Sequence, residues 1–122
     1  MNEHLEIGKI GEDLACRIIA GKKYLVIERN FRTPFGEIDI IAGYRQELVF
    51  FEVKTLINKS VYQLTPEDNL TVSKLRKLRK TCLWFANKHP EHFMDKTGWR
   101  IDLLALSLQD DICRYKHYKN IG

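Results

Sequence analysis

The sequence predicts a mixed α/β domain in which helices cover a central β-sheet. Two segments have the apolar spacing of amphipathic helices, and the segments between and after them are rich in β-branched and aromatic residues. The predicted order is helix, three strands, helix and strand, with a further edge strand at the end. With 122 residues, 44% of them hydrophobic, the chain has apolar material for one core, so we expect a single domain over residues 1–122.

The first helix is predicted over residues 3–20, where apolar residues recur with helical spacing. They are Ile7, Ile10, Gly11, Leu14, Ala15 and Ile18. Gly21 suits the C-terminal end of this helix. The first strand follows in YLVIERNF, residues 24–31, and the turn residues TPFG end it.

Two more strands, residues 36–42 and 47–55, flank the turn GYRQ and predict a hairpin. After a polar loop over residues 56–65, Thr65 as N-cap and Pro66 as first helical residue predict a second helix that ends near Lys88. Its expected buried stripe is Val72, Leu75, Leu78, Cys82, Phe85 and Ala86. The strand GWRIDLLALSL, residues 98–108, and a basic edge strand ICRYKHYK, residues 112–119, complete the sheet.

The composition argues against export, membrane insertion and a disulfide framework. The N-terminal segment has no uninterrupted apolar run of the signal-peptide type, and nowhere do eighteen apolar residues follow one another. We therefore expect a soluble, cytoplasmic protein with no membrane partner. The three cysteines, Cys16, Cys82 and Cys113, are odd in number and widely spaced, so we expect reduced core thiols.

Positive charge is concentrated in the second half of the chain. The net charge is +4, and SKLRKLRK contains five basic residues without an acid: Lys74, Arg76, Lys77, Arg79 and Lys80. Such a cluster is typical of a surface that attracts a phosphate backbone. A solvated helix face is the alternative interpretation of an isolated basic run.

The predicted hairpin carries four charged residues at alternating positions. Alternation along a strand places Glu37, Asp39 and Ile41 on one face and Ile38, Ile40 and Ala42 on the other. On the next strand, Glu52 and Lys54 share a face by the same rule. A turn centred between Arg45 and Gln46 would pair Asp39 with Glu52, and Glu37 with Lys54.

Two opposed carboxylates repel each other unless a cation lies between them, and Mg²⁺ prefers oxygen ligands. The alternative is a solvent-facing pair of strands with cross-strand salt bridges. The apolar flanks IDIIA and LVFFEV favour charges set into a covered sheet.

An acid on one strand followed by E-x-K on the next resembles the PD-(D/E)-x-K nuclease signature, with Asp39 as first acid and Glu52-Val53-Lys54 as E-x-K. More closely, a series of blocks resembles, in order and spacing from Gly8 to about Leu106, the YraN family of small uncharacterised bacterial proteins. The blocks are GKIGEDLA, RNFR, GEIDIIA, LVFFEVKT, SKLRKLRK and RIDLLAL.

This resemblance implies a restriction-endonuclease-like fold, with a central mixed β-sheet in α-β-β-β-α-β order flanked by helices. Holliday-junction resolvases of archaea and transfer-RNA splicing endonucleases share that fold. The resemblance also implies a further acid from the first helix, which Glu12 matches. In one respect the chain departs from the family pattern: Thr55 is followed by Leu56 rather than by an arginine.

The chemistry that fits these residues is metal-dependent hydrolysis of a phosphodiester bond. Asp39 and Glu52 would hold Mg²⁺ or Mn²⁺, Lys54 would orient water or stabilise charge on phosphate, and Glu37 and Glu12 would assist. The expected partner is nucleic acid, with DNA favoured over RNA and branched or repair intermediates as substrates. Two alternative functions stay open: a nucleic-acid-binding protein with an inactive site, and a protein-interaction adaptor whose basic face meets an acidic partner. The sequence also leaves the oligomeric state open, with a homodimer as one option.

Overall fold

A computed structural model of the protein describes residues 3–63, 70–89 and 98–122. Two long helices and five strands form the fold. They are α1 (Glu3–Gly21), β1 (Leu25–Thr33), β2 (Gly36–Tyr44), β3 (Glu47–Ile57), α2 (Val72–Lys88), β4 (Gly98–Gln109) and β5 (Ile112–Tyr118). The predicted strands and α1 are confirmed within one or two residues at most ends. The loop predicted over residues 56–65 begins with the last two residues of β3, Leu56 and Ile57, and includes a 3-10 turn at Val61–Gln63.

The five strands form one mixed sheet in the order β1-β2-β3-β4-β5. Neighbouring strands are antiparallel except for β3 and β4, which run parallel, with α2 in the connection between them. This is the predicted α/β, restriction-endonuclease-like architecture, and β5 is the edge strand that its basic residues indicated. No helix in the described part of the chain is long and apolar enough to cross a bilayer.

The helix α1 packs on one face of the sheet. Ala15 and Ile19 of α1 are fully buried against a cluster from β2, β3 and β4 that includes Ile40, Phe51 and Leu104. The predicted stripe of α1 is correct at Gly11 and Ala15 but wrong at Ile10, which is 49% exposed, while Ile19 was not predicted. The buried surface of the helix is therefore rotated slightly from the predicted stripe, towards Ile19.

The helix α2 packs on the opposite face, because its buried residues contact the alternate side chains of β3. Leu78, Cys82 and Phe85 form a second cluster with Leu48 and Phe50. The helix begins at Val72, and its N-cap is Thr71, whose hydroxyl accepts a hydrogen bond from the backbone N–H of Lys74 at 3.2 Å.

Two expectations for α2 and one for the cysteines need correction. Thr71 rather than Thr65 caps the helix that carries the basic residues, and the predicted start at Thr65 and Pro66 lies outside the described residues. Val72 is 75% exposed because it occupies the first turn, beyond the edge of the core. Cys82 is buried as predicted, but Cys113 is exposed on the edge strand β5.

The sheet is irregular around Asp39. The ladder between β1 and β2 includes Arg29–Ile40 and Phe31–Ile38 but omits the pair between them, and Asn30 has a left-handed φ of 52°. The side chains of β2 change face across this break. Ile38, before it, packs in the α2 cluster, whereas Ile40, after it, packs in the α1 cluster. The predicted common face for Ile38 and Ile40 is therefore wrong, since strict alternation does not continue through the break.

Candidate active site

The hairpin of β2 and β3 has the predicted register. Tyr44 pairs with Glu47 and Ile40 pairs with Phe51, across a turn in which Arg45 and Gln46 have φ values of 47° and 64°. Two consecutive positive φ values are typical of the type I′ turn that suits a two-residue hairpin loop. The ladder between β2 and β3 ends at the pair Ile40–Phe51. Asp39 and Glu52, which the sequence predicted to pair, occupy the next positions and are not paired in the ladder.

Asp39 lies where β2 and β3 separate. Its Oδ2 accepts a hydrogen bond from the backbone N–H of Val53 at 2.8 Å. A side-chain carboxylate therefore takes the place that a backbone carbonyl of β2 would occupy in a regular ladder. Together with the break at Asn30, this leaves Asp39 outside the ladders on both sides and turns its carboxylate into the opening between the strands.

Two adjoining cavities contain the predicted catalytic residues. A cavity of about 370 Å³ has four charged side chains in its wall: Glu12, Glu37, Asp39 and Lys54. A second cavity, of about 240 Å³, has four others: Glu37, Glu52, Lys74 and Lys77. The structure thus brings Asp39, Lys54 and Glu12 together and places Glu52 in the neighbouring cavity, where the sequence predicted a single cluster. Glu37 lines both cavities and connects them.

Glu12 reaches the site because α1 approaches β3 closely at the preceding residue. A Cβ atom on Gly11 would lie 2.0 Å from the hydroxyl oxygen of Thr55, so only glycine permits this contact. The Glu12 Oε1 atom is buried and has no hydrogen-bond partner in the described part of the chain, and the Nε of Arg29 is 4.0 Å from it. Arg29 instead donates to Asp13 at 2.6 Å.

Burial raises the pKa of Glu12, Asp39 and Glu52. The pKa of Asp39 rises to about 6 through burial, opposed by the Val53 hydrogen bond and increased further by Glu12 and Glu37. The pKa of Glu52 rises to about 8 through burial and the charge of Asp39, and Lys74 opposes this rise. The nearby basic side chains, Lys74 and Lys54, therefore do not fully balance the negative charge of the carboxylates at this opening.

The five basic residues of the segment SKLRKLRK in α2 differ in what they contact. All five are exposed, but Lys74 and Lys77 also line the cavity that contains Glu52. Lys77 lies beside Lys74 in the wall of that cavity because residues three apart share a helix face. Arg79 lies over the ring of Trp99, with 5.8 Å between the guanidinium carbon and the ring centroid, which leaves Arg76 and Lys80 as the outward basic pair.

No group of three or more His, Cys, Asp or Glu side chains that would hold a metal ion occurs among residues 3–63, 70–89 and 98–122. Mg²⁺ is commonly bound by one or two carboxylates, with waters and substrate phosphates completing its ligands. Asp39 and Glu52 supply two carboxylates, which is the number that such a hard divalent cation takes from a protein when water and phosphate supply the rest.

A second polar cluster lies apart from these cavities and was not predicted. The fully buried carboxylate of Asp102 accepts hydrogen bonds from Arg100 Nε at 3.0 Å, from the backbone N–H of Asn120 at 2.9 Å and from His117 Nε2 at 2.7 Å. These donors hold the pKa of Asp102 below its usual range in spite of its burial. The hydrogen bonds of the Asp102 carboxylate are thus made within the protein, and they hold the end of the chain against β4. The single acid in the apolar segment RIDLLAL was the sequence signal for this cluster.

Phe35 is a further residue that the sequence interpretation missed. It lines the cavity of Glu52, Lys74 and Lys77 and is 51% exposed. The ring of Tyr44, at the tip of the hairpin, stacks instead on Tyr24 at 4.1 Å between centroids and belongs to the protein's own packing. An aromatic residue in the turn TPFG, next to the first charged strand, was the available signal for Phe35.

Comparison with known proteins gives a consistent family match. The model of the uncharacterised protein family UPF0102 matches residues 11–106. A UPF0102 protein of Thermodesulfovibrio yellowstonii is 42% identical over 84% of this chain and 87% of its own length. Similar proteins from Geotalea daltonii and Syntrophotalea carbinolica are 38% and 28% identical over 90% and 95% of this chain, and over 82% and 90% of their own lengths.

Proposed function

The chain belongs to the UPF0102 family, which is the YraN family, and from that premise and the site geometry we propose that it is a metal-dependent endonuclease acting on DNA. One observation carries the proposal most directly. Asp39, where β2 and β3 separate, and Glu52, in the adjoining cavity, are carboxyl groups whose burial raises their pKa values to about 6 and about 8. Carboxylates kept in an unfavourable setting are typical of catalytic or metal sites.

Asp39 and Glu52 would hold Mg²⁺ or Mn²⁺, with water and a substrate phosphate as the other ligands. When bound, such an ion polarises a phosphate and lowers the pKa of a coordinated water. A cation also supplies the positive charge that the cluster lacks, since its nearest lysines only partly oppose the rise in the pKa of Glu52.

The chain's own residues account for the remaining parts of the proposed reaction. Lys54 lies in the wall of the Asp39 cavity and would stabilise negative charge on the phosphate under attack or orient the attacking water. Lys74 and Lys77 would hold a phosphate beside Glu52. Arg76 and Lys80 would follow the backbone farther out, giving affinity without reading sequence.

The direct test is a cleavage panel on purified protein with Mg²⁺ or Mn²⁺. The substrates are single-stranded, duplex, flapped and four-way DNA, and the variant is Asp39→Asn. Asp110→Asn is the matched control, because Asp110 is exposed in the β4–β5 turn and its φ of 51° suits asparagine. We expect cleavage by the wild type and by the control and none by Asp39→Asn. Equal cleavage by all three proteins, or by none of them with either metal, would contradict the proposal.

A nucleic-acid-binding protein without catalysis is the second candidate function. Leu56 stands where the family pattern has an arginine after the E-x-K-T segment, and the described residues include no group of three acidic or histidine ligands. Binding of DNA that depends on salt but not on divalent metal, without cleavage, would favour this function. Calorimetric titration with Mn²⁺ separates the two, since only the nuclease requires a metal bound through Asp39.

A further inference from the structure

Phe35 is an exposed aromatic side chain held in place by its turn. The hydroxyl of Thr33 accepts hydrogen bonds from the backbone N–H groups of Phe35 and Gly36 at 3.1 and 3.2 Å, and it lies 3.1 Å from the Gly36 carbonyl, to which it donates. Gly36 has a φ of 153°, and a Cβ there would approach Thr81 of α2 to 3.3 Å. The turn is therefore fixed both internally and against α2, so a ligand that binds Phe35 need not order it first.

Two lysines stand beside this ring. Lys74 and Lys77 lie one helical turn apart on α2 and share with Phe35 the wall of the 240 Å³ cavity, whose inner part includes Leu78 and Glu52. An exposed ring gives a planar apolar contact, and two ammonium groups give a site for an anion. This combination matches a nucleotide, in which a flat base is joined to a charged phosphate.

The exposed ring of Phe35 can stack on an unpaired base but not on a base inside a duplex. Inside a duplex each base is stacked between its neighbours, so a protein side chain meets a base face only where the base is unpaired and unstacked. A purely electrostatic contact with duplex DNA needs the lysines but has no use for Phe35.

We propose that Phe35, Lys74 and Lys77 form a subsite for one unpaired nucleotide, with its base on Phe35 and its phosphate on the two lysines. Glu52 lines the same cavity, so the subsite adjoins the phosphodiester bond that the proposed nuclease would cleave. The substrate class is therefore DNA with a single-stranded arm or gap. The position relative to the cleaved bond rests on the proposed function, whereas binding of the unpaired nucleotide does not.

The test measures binding without cleavage, in buffer that contains EDTA. Three labelled DNAs of matched sequence are used: a single strand, a full duplex and a duplex with a single-stranded arm. The variants are Phe35→Ala, Phe35→Leu and Phe35→Tyr, of which only the last keeps an aromatic ring. Tyr62→Ala is the matched control, because Tyr62 is 77% exposed and lies outside both cavities.

We expect Phe35→Ala and Phe35→Leu to weaken binding of the single strand and the armed duplex by about 5- to 150-fold. Full-duplex binding should be unchanged, and Phe35→Tyr and the control should bind like the wild type. The fluorescence of a 2-aminopurine base in the arm should be quenched by the wild type and not by Phe35→Ala. Lys77→Gln should reduce the salt slope for single strands by about 0.7.

Equal losses on all three DNAs, no loss on any, or a wild type that does not bind the armed DNA would overturn the subsite. Failure of the subsite and failure of the nuclease remain distinguishable. A wild type that cleaves armed DNA and is unaffected by Phe35→Ala would disprove the subsite alone. A wild type that binds armed DNA through Phe35 but cleaves nothing would disprove the nuclease alone.

Discussion

Replacing Asp39 by asparagine is expected to stabilise the metal-free protein at alkaline pH. Because burial raises the pKa of Asp39 from 3.8 to about 6, the folded protein binds this proton more tightly than the unfolded chain does. Ionisation of Asp39 above about pH 6 therefore costs folding free energy. A shift of about 2 units corresponds to about 3 kcal/mol at 1.36 kcal/mol per unit. Asparagine cannot ionise, and its amide oxygen can still accept the hydrogen bond from Val53.

The expected signature is a gain that depends on pH. At pH 8, Asp39→Asn should unfold in urea with a free energy up to about 3 kcal/mol above that of the wild type. At pH 4, where the Asp39 carboxyl is protonated in the folded protein, the gain should disappear. The wild type itself should lose stability as the pH rises from about 4 to about 8, because the pKa of Glu52 is raised as well, to about 8. Asp110→Asn, at an exposed turn, should change stability by less than about 0.5 kcal/mol.

Metal should remove most of the stability difference between the two proteins. Saturating Mg²⁺ or Mn²⁺ at about 100 times its dissociation constant should stabilise the wild type by about 2.7 kcal/mol and leave Asp39→Asn unaffected. A variant that is less stable than the wild type at pH 8 without metal would refute the reasoning. In that case the Val53 hydrogen bond and the charge of Lys54 already satisfy the Asp39 carboxylate, and the cluster is a structural salt-bridge network.

Three further predictions concern other parts of the molecule. Arg76→Ala combined with Lys80→Ala should reduce the salt slope of duplex binding by about 1.8, measured by fluorescence anisotropy; an unchanged slope would place the backbone contact elsewhere. Gly11→Ala should destabilise the fold by about 1–3 kcal/mol in urea, because its Cβ would overlap a β3 side chain, whereas Gly8→Ala, which meets no described atom within 4 Å, should not. Asp102→Asn should cost about 3 kcal/mol in urea, since it removes the charge of a fully buried carboxylate that pairs with Arg100 and His117, while Glu47 remains as the second partner of Arg100.

The regular parts of the fold follow from local signals in the sequence. Apolar spacing predicts α1, and alternating β-branched and aromatic residues predict each strand. The hairpin register depends on one feature, the turn at Arg45 and Gln46, which fixes every pair from Tyr44–Glu47 to Ile40–Phe51. Those elements were predictable because each is determined by residues close together in the chain.

The departures arise where tertiary packing overrides local pattern. Asn30 takes a left-handed conformation inside a strand, and periodicity contains no sign of such a break, so the exchange of faces between Ile38 and Ile40 was missed. The separation of Glu52 from Asp39 into neighbouring cavities follows from that break. Similarly, Thr71 and Thr65 are both acceptable N-caps by residue type, and only the position of the helix against the sheet distinguishes them.

The parallel pairing of β3 with β4 has a consequence for the order in which the protein folds. The chain from α1 to β3 forms a meander of neighbouring strands and contains Glu12, Glu37, Asp39, Glu52 and Lys54. The pairing of Phe51 with Asp102 must instead close a loop that contains α2, and closure of long loops slows folding. On a ribosome, every carboxylate of the site is synthesised before β4, the strand that covers the free edge of β3. A nascent chain halted before β4 therefore already contains every charged side chain of the site, and what it lacks is the strand that pairs with β3 along its full length.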